Sequence, residues 1–147
     1  NETRELEVRG EKILISGLLP PYKYYKKGGK DFLKSEEIEA LLGKPSKNQF
    51  QVLLAHTPKY GDSYLEWGSD VTFSGHYHGG MVQLPFLGGV ISPDFRIFPK
   101  YCKGHFQEGD RHLIVSGGLG EHTIPLRIFN PRELIIVECS PKKISEK

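Results

Sequence analysis

The sequence predicts a single domain of α/β class, α+β-like in character, that spans residues 1–147. A chain of 147 residues is long enough to bury a substantial core in one domain. Apolar runs that end at glycine or proline predict roughly six to eight short strands, several of them antiparallel. Segments with helical spacing predict roughly two or three helices among them. Together these elements indicate layers of strands and helices around one core.

The first two strands are predicted to pair as a hairpin. Leu6–Val8 and Lys12–Ser16 have strand-like composition, and the intervening Arg9-Gly10-Glu11 is a turn signal. The chain is therefore predicted to reverse direction at this glycine.

A helix is predicted over Ser35–Leu42. Ser35 is a typical capping residue, two glutamates in the first turn favour the positive end of a helix, and Gly43 stands where the helix would stop. An apolar stripe at helical spacing predicts which residues face the core: Ile38, Leu41 and Leu42.

Two later strands each end beside histidine. The apolar run Gln51–Ala55 precedes His56, and Asp70–Phe73 leads into the glycine-framed turn that contains His76 and His78. In an extended backbone, residues two apart share a face, so the His76 and His78 imidazoles are predicted to point the same way. Ligands of open α/β sheets collect beyond the carboxyl ends of strands. Three imidazoles converging there predict a metal site, whereas the alternative is a set of surface histidines beside a bend.

The remaining segments predict one helix, an irregular stretch, a hairpin and a last strand. The helix lies between Pro58 and Trp67, with Tyr60, Tyr64 and Trp67 as packing residues. The near-continuous apolar core of the last strand predicts burial on both of its faces. The other segments are Phe86–Lys103 (largely irregular), His105 to Val115 (hairpin, with both His105 and His112 interpreted as ordinary), Glu133–Cys139 (last strand) and Ser140–Lys147 (frayed tail).

Composition and cysteine spacing exclude several classes. The net charge of +2 is too small to indicate a nucleic-acid partner. No apolar run approaches the ~18 residues of a membrane span. Cys102 and Cys139 lack the C-x-x-C spacing of a zinc ribbon or redox motif. Cys139 ends an apolar run and is predicted to be buried, and a disulfide between the two cysteines stays an open alternative.

The basic and aromatic stretch 22–30 has two interpretations. It is either a flexible rim loop that meets an anionic substrate or lipid head groups, or a solvated connection whose tyrosines pack locally. The stretch is short and lacks the regular spacing of a binding stripe, which favours local packing.

A strand that ends in histidine at Leu53–His56 is followed by a G-H-x-H element at Gly75–His78. This ordered set resembles the calcineurin-like metallophosphoesterases, in particular their bacterial and often membrane-associated branch. The resemblance extends from about the start of the chain to Cys139. Its other segments are Gly79–Pro85, Val115–Gly120, Pro125–Arg127 and Pro131–Glu133.

The resemblance implies a metal-dependent phosphohydrolase that cleaves phosphate mono- or diesters with two divalent metal ions. In such enzymes the two ions activate a hydroxide and hold the phosphoryl oxygens for in-line attack. By the resemblance, His56 and His76 bind one ion and His78 binds the other. Imidazole ligands favour Mn, Fe or Zn over Ca or Mg. Arg127 has two interpretations, since it would either bind phosphate or pin a loop.

The resemblance covers only the C-terminal portion of that family's domain. The family's earlier D-x-H, G-D-x-x-D and G-N-H-D/E motifs, which supply further metal ligands and the general acid, do not occur in the sequence. We therefore expect this chain to be inactive alone, with at most one ion or a partial site. The family's β-sandwich, flanked by helices, would be incomplete, so we expect self-association. A segment outside this chain would provide any membrane association.

Two further classes of function remain alternatives. One is a binding or interaction module that kept the fold without the chemistry, and the other is a structural histidine-metal site. The first predicts a longer protein without the upstream motifs, and the second predicts one tightly held zinc and no hydrolysis.

Overall fold

The computed structural model describes residues 1–26, 31–92, 95–120 and 126–140. Its main feature is a mixed sheet of six strands in the order β1-β2-β3-β4-β8-β7. The four central strands are parallel, and each edge strand pairs antiparallel with its neighbour. Two short strands, β5 and β6, form a separate pair, and the predicted α/β class is confirmed. The strands are β1 (Glu2–Val8), β2 (Glu11–Leu18), β3 (Phe50–Ala55), β4 (Val71–Ser74), β5 (Gln83–Leu84), β6 (Gly88–Gly89), β7 (Gly104–Glu108) and β8 (Arg111–Val115).

The predicted hairpins and central strands are confirmed. The β1–β2 hairpin turns through Arg9 and Gly10, which have φ of 55° and 84°. Two consecutive positive φ angles match the two-residue turn whose twist suits a hairpin. β7 and β8 form the second predicted hairpin.

The predicted helix over residues 35–42 is confirmed as α1 (Ser35–Leu42), with Gly43 at its end. Its predicted cap is wrong, because Ser35 is already the first helical residue and Lys34 precedes the helix. The Glu37 carboxylate accepts a hydrogen bond from the Lys34 backbone N–H at 3.1 Å. A side chain of the helix itself therefore provides a partner for the backbone at this end.

A second helix, α2 (Gly61–Trp67), follows a 3-10 turn at Pro58–Tyr60, and this confirms the helix predicted between Pro58 and Trp67. Another 3-10 turn covers Tyr22–Tyr25. Among the described residues, neither helix nor turn has the length and apolar character needed to cross a membrane.

The core lies between the two helices and one face of the sheet. Strand residues of this face, such as Leu53 and Leu113, are fully buried and pack with Ile38 of α1 and Tyr64 of α2. The predicted packing residues Tyr60 and Trp67 belong to the same cluster. Both crossover helices therefore lie on one side of the sheet.

The opposite face of the sheet is apolar but poorly covered. Leu54 and Phe50 of β3 are 46% and 37% exposed. The registers of β2, β3, β4 and β8 place further apolar side chains on this face, all of them half-buried: Ile13, Ile15, Val52, Phe73 and Ile114. An apolar sheet face of this kind is usually covered by another layer.

The predicted last strand, Glu133–Cys139, is wrong. The segment forms no strand, and Leu134 and Ile136 are 78% and 89% exposed. Cys139 is exposed rather than buried, and both cysteines are free thiols. An apolar run indicates a tendency to be buried, but a strand also needs a partner for its backbone hydrogen bonds. Within the described residues, this run has no such strand beside it.

Gly61 tests how tightly α2 packs on the sheet. Its φ of −54° and ψ of −38° suit alanine, yet a Cβ here would overlap the Tyr101 ring and lie 2.7 Å from Leu113 Cδ2. We expect Gly61→Ala to lower the free energy of unfolding by about 2 kcal/mol, because overpacking outweighs the gain in helix propensity. Urea denaturation measures the change. Gly17→Ala is the control, since its nearest atom is Glu2 O at 4.0 Å, and an equal loss in both variants would contradict tight packing at Gly61.

Candidate metal centre

The carboxyl ends of the parallel strands meet at one edge of the sheet. β3 ends before His56, β4 ends before Gly75, and β8 ends before Ser116. A cavity of ≈ 760 Å³ opens here and extends along the uncovered face, where Leu54 and Phe73 line it. Such an edge is the usual place for ligands in open α/β sheets.

His56 and His76 lie together at this edge. Their ring centroids are 4.6 Å apart, with 54° between the ring planes. The Gly75 N–H donates to the His56 carbonyl at 3.1 Å, so the backbone ties the two histidine segments together. His56 is exposed and His76 is half-buried. Two adjacent imidazoles, one of them accessible from the cavity, form part of a possible metal site.

The turn that carries His76 and His78 is not extended, so the backbone expected for it is wrong. Both residues have left-handed backbones, with φ of 59° and 49°. The Tyr77 N–H donates to the Gly75 carbonyl, and the Gly80 N–H donates to the Tyr77 carbonyl, each at 2.6 Å. Non-glycine residues adopt this conformation at an energetic cost, and such residues often cluster at functional sites.

His78 lies beside the glycine-rich loop 117–120. A Cβ on Gly120 would be 3.7 Å from His78 Cε1. Among the described residues, no group of three histidine, cysteine or acidic side chains is close enough to hold a metal ion. The structure thus brings His56 and His76 together but does not join His78 to them in a three-ligand cluster.

The donor set fits part of a metal site. Imidazoles suit borderline transition metals such as zinc, but a site needs more ligands than His56 and His76 provide. These two residues would hold one ion from the side of the sheet, and His78 would approach a separate position.

Asn130 holds the histidine turn in place. Its Nδ2 donates to the carbonyls of His78 and Gly80, both at 2.7 Å, and the side chain is 3% exposed. Gln83 also donates to the Gly79 carbonyl. Sequence reasoning missed both residues, because Asn130 is 52 positions from His78 and Asn-Pro is an ordinary turn signal.

Arg127 pins the glycine-rich loop, which is one of its two predicted roles. Its Nη2 donates to the carbonyls of Gly117, Gly118 and Gly120. From the other side, Glu133 Oε1 accepts the Gly117 N–H at 2.7 Å, and its Oε2 lies 3.0 Å from Lys103 Nζ. The loop beside His78 is therefore fixed by a cation and an anion.

The other sequence predictions near the site have mixed outcomes. Tyr24 is buried and donates to Glu37, which agrees with local packing of the aromatic stretch, while Lys27–Lys30 lie outside the described residues. His122 follows the glycine-rich loop in the sequence, where it would either overhang the metal site or be exposed, and it also lies outside the described residues. His105 and His112 stack on the β7–β8 hairpin with Nε2 and Nδ1 2.8 Å apart.

Cys102 is buried against the histidine turn, where its Sγ would be 3.2 Å from a Cβ on Gly80. Burial raises the pKa of its thiol to about 11. The thiol therefore stays protonated at pH 8, and we expect it to be unreactive, since the thiolate is the nucleophile. In the folded chain one thiol, the exposed Cys139, should react with Ellman's reagent, and both should react in denaturant. Rapid reaction of two thiols without denaturant would contradict the buried position, and Cys139→Ser provides the control.

The chain is similar to several metallophosphoesterases. It is 34% identical over 104 residues to YkuE of Bacillus subtilis (strain 168), described as an uncharacterized metallophosphoesterase, and the match covers 71% of this chain and 36% of that protein. It is 32% identical over 145 residues to an uncharacterized metallophosphoesterase of Helicobacter pylori (strain J99), covering 95% of this chain and 37% of that protein. The chain thus spans little more than a third of the length of these relatives.

Another relative has a named activity. The UDP-2,3-diacylglucosamine pyrophosphatase LpxG of Chlamydia muridarum is 30% identical over 100 residues, covering 60% of this chain and 28% of that protein. No protein-family model matches the chain. No solved structure matches it significantly.

Proposed function

Because the chain belongs to the metallophosphoesterase family, we propose that it is part of a metal-dependent phosphohydrolase that acts on phosphate mono- or diesters. In this proposal His56, His76 and His78 are metal ligands, and the other ligands and the general acid come from a longer protein. This chain alone binds at most one ion and does not hydrolyse esters.

The pairing of His56 with His76 supports the proposal most directly. Their rings are 4.6 Å apart at the carboxyl ends of two adjacent parallel strands. The cavity at the same edge is large enough for a small phosphate ester. An incidental pair of surface histidines would not need the backbone tie from Gly75 or the buried brace from Asn130.

The residues of this chain have separable tasks. Divalent ions, when bound, act as Lewis acids toward phosphoryl oxygen. In this proposal the imidazoles of His56 and His76, whose centroids are 4.6 Å apart, hold one ion, and Asn130 maintains the turn that carries His76. Arg127 and Glu133 fix the loop beside His78 and so define one wall of the site.

The test uses a longer protein that contains this chain. We expect bound Mn, Fe or Zn and hydrolysis of para-nitrophenyl phosphate or of its bis-ester. The ratio of the two rates distinguishes mono- from diesterase activity. Tightly held zinc with no hydrolysis would favour a structural metal site, and neither metal nor hydrolysis would favour a binding module. The chain alone is the control and should be inactive.

We also propose that the chain self-associates when isolated. Its uncovered sheet face presents Phe50 and Leu54, and the edge strand β1 is exposed throughout. Light scattering should give a mass above 16.6 kDa that rises with concentration. A monomer at high concentration would contradict this. A segment outside this chain remains our proposed source of any membrane anchoring of the longer protein.

A further inference from the structure

Side-chain amides hold the second half of the histidine turn. The backbone carbonyls of three consecutive residues, 78–80, each accept a hydrogen bond from a side-chain amide. Asn130 Nδ2 donates to the first and the third of these carbonyls, both at 2.7 Å, and Gln83 Nε2 donates to the one between them. Most backbone hydrogen bonds in proteins join one backbone group to another. Three successive carbonyls with side-chain partners therefore indicate a turn whose position depends on those particular side chains.

The amide of Asn130 fits in one orientation only. Its side chain is 3% exposed, and Gly79 packs against it so closely that a Cβ there would lie 2.6 Å from Asn130 Oδ1. Reversing the amide would place Oδ1 against two carbonyl oxygens, and neither atom of such a pair can donate. In the observed orientation Oδ1 is buried without a hydrogen-bond partner. A buried polar atom left unsatisfied carries an energetic cost, which the two donor bonds to the turn offset.

The segment 127–130 also holds the loop beside His78. Arg127 Nη2 donates to carbonyls of the glycine-rich loop 117–120, including that of Gly120. A Cβ on Gly120 would be 3.7 Å from His78 Cε1, so this loop lies beside the His78 ring. One short segment therefore fixes both the backbone of His78 and the loop next to its imidazole.

The first half of the turn has a different support. The Gly75 N–H donates to the His56 carbonyl at 3.1 Å, and the Ser116 N–H donates to the Ser74 carbonyl at 2.9 Å. Both bonds join the ends of neighbouring parallel strands, and neither involves the segment 127–130. His76 follows Gly75 directly, with its ring 4.6 Å from that of His56. The two candidate ion positions thus depend on different parts of the chain.

We propose that Asn130 is a positioning residue for His78, and that it controls the affinity of one ion position and not of the position held by His56 and His76. This inference rests on the proposed function. Asn130 contacts no ion in it and acts through the backbone of His78. Residues that orient a metal ligand typically change metal affinity about 10- to 100-fold when they are replaced.

Asn130→Asp is the test variant, because it keeps the shape of the side chain and replaces the donating NH₂ group by oxygen. In the metal-free 147-residue chain it should shift the NMR signals of the His78 imidazole and leave those of His56 unchanged. Gln51→Glu is the matched control. It makes the same change at another amide that is 3% exposed, at the start of β3, and it should shift neither set of signals.

Circular dichroism verifies that each variant keeps the fold. If Asn130→Asp does not fold, Gln83→Met provides the second variant, since it removes only the bond to the Gly79 carbonyl from a half-buried side chain. It should shift the same His78 signals by a smaller amount.

Calorimetric titration of a longer, metal-free protein that contains this chain measures the ion positions separately, with Mn²⁺ as the probe. Asn130→Asp should weaken about 10- to 100-fold the position that His78→Ala also weakens. It should leave unchanged the position that His56→Ala weakens. Added to His78→Ala, it should have no further effect, because it acts through His78. Gln51→Glu should bind Mn²⁺ like the unchanged protein.

The outcomes separate this inference from the proposed function. Equal weakening of both positions would assign Asn130 a general structural role, and unchanged affinity would assign it no role in ion binding. Either result, or unchanged His78 signals in the chain alone, overturns the inference and leaves the proposed function standing. A longer protein that binds neither manganese nor zinc would overturn the proposed function, and this inference with it.

Discussion

Replacing His76 with alanine should remove one bound metal ion from a longer protein that contains this chain. We also expect a loss of at least about 100-fold in kcat/KM for para-nitrophenyl phosphate, because a lost ligand costs no less than a lost second-sphere contact. His76 shares its position with His56, whose ring lies 4.6 Å away. Elemental analysis and steady-state kinetics measure the two effects.

The control for this prediction is His105→Ala. It also removes an imidazole, but from the β7–β8 hairpin, where His105 contacts His112. It should change neither metal content nor kinetics. The double variant of His56 and His76 should lose no more metal than either single variant, because both serve one ion, whereas His78→Ala should affect the other ion. Full metal content in the His76 variant would exclude the proposed ligand pair.

Local sequence signals predicted the elements that position this site. These signals are the turn at Gly10, the glycine that ends α1 and the apolar runs of β3 and β4. Each of them depends only on residues close together in the sequence. Parallel pairing then follows from a helix between successive strands, and it brings His56 and His76 to one edge of the sheet. The pairing of these two histidines was therefore within reach of the sequence.

The conformation of the histidine turn could not be predicted from local sequence patterns. Period-two alternation applies only to extended backbone, and His76 and His78 are both left-handed. What maintains that conformation is distant in sequence, since Asn130 donates to the His78 carbonyl from 52 positions away. No local pattern encodes a contact of that range.

The apolar run 133–139 also shows that a local pattern does not specify distant contacts. Its apolar composition predicts a strand buried on both faces, and this prediction is wrong, because composition does not specify a partner strand. Leu134 and Ile136 remain exposed in the described structure. A hydrophobic pattern thus indicates that a segment favours burial, but it does not identify the layer that would bury it.

Gly80→Ala should be the most destabilising of the glycine substitutions considered, at about 3 kcal/mol of unfolding free energy. Gly80 has φ of 79°, which costs about 1 kcal/mol for alanine. In addition, a Cβ would lie 2.9 Å from the Ile91 carbonyl oxygen and 3.2 Å from Cys102 Sγ. The carbonyl belongs to backbone that also accepts the Met81 N–H, so it cannot move aside without breaking that bond.

Gly88→Ala separates the two contributions. Gly88 has nearly the same φ, 75°, but nothing lies within 4 Å of its hypothetical Cβ. This variant should lose only the conformational part, about 1 kcal/mol. Urea denaturation of both variants gives the difference, which reports the close packing behind the histidine turn. Equal losses would mean that the backbone at Ile91 yields freely, and the turn would then lack the rigid support that a preorganised metal site requires.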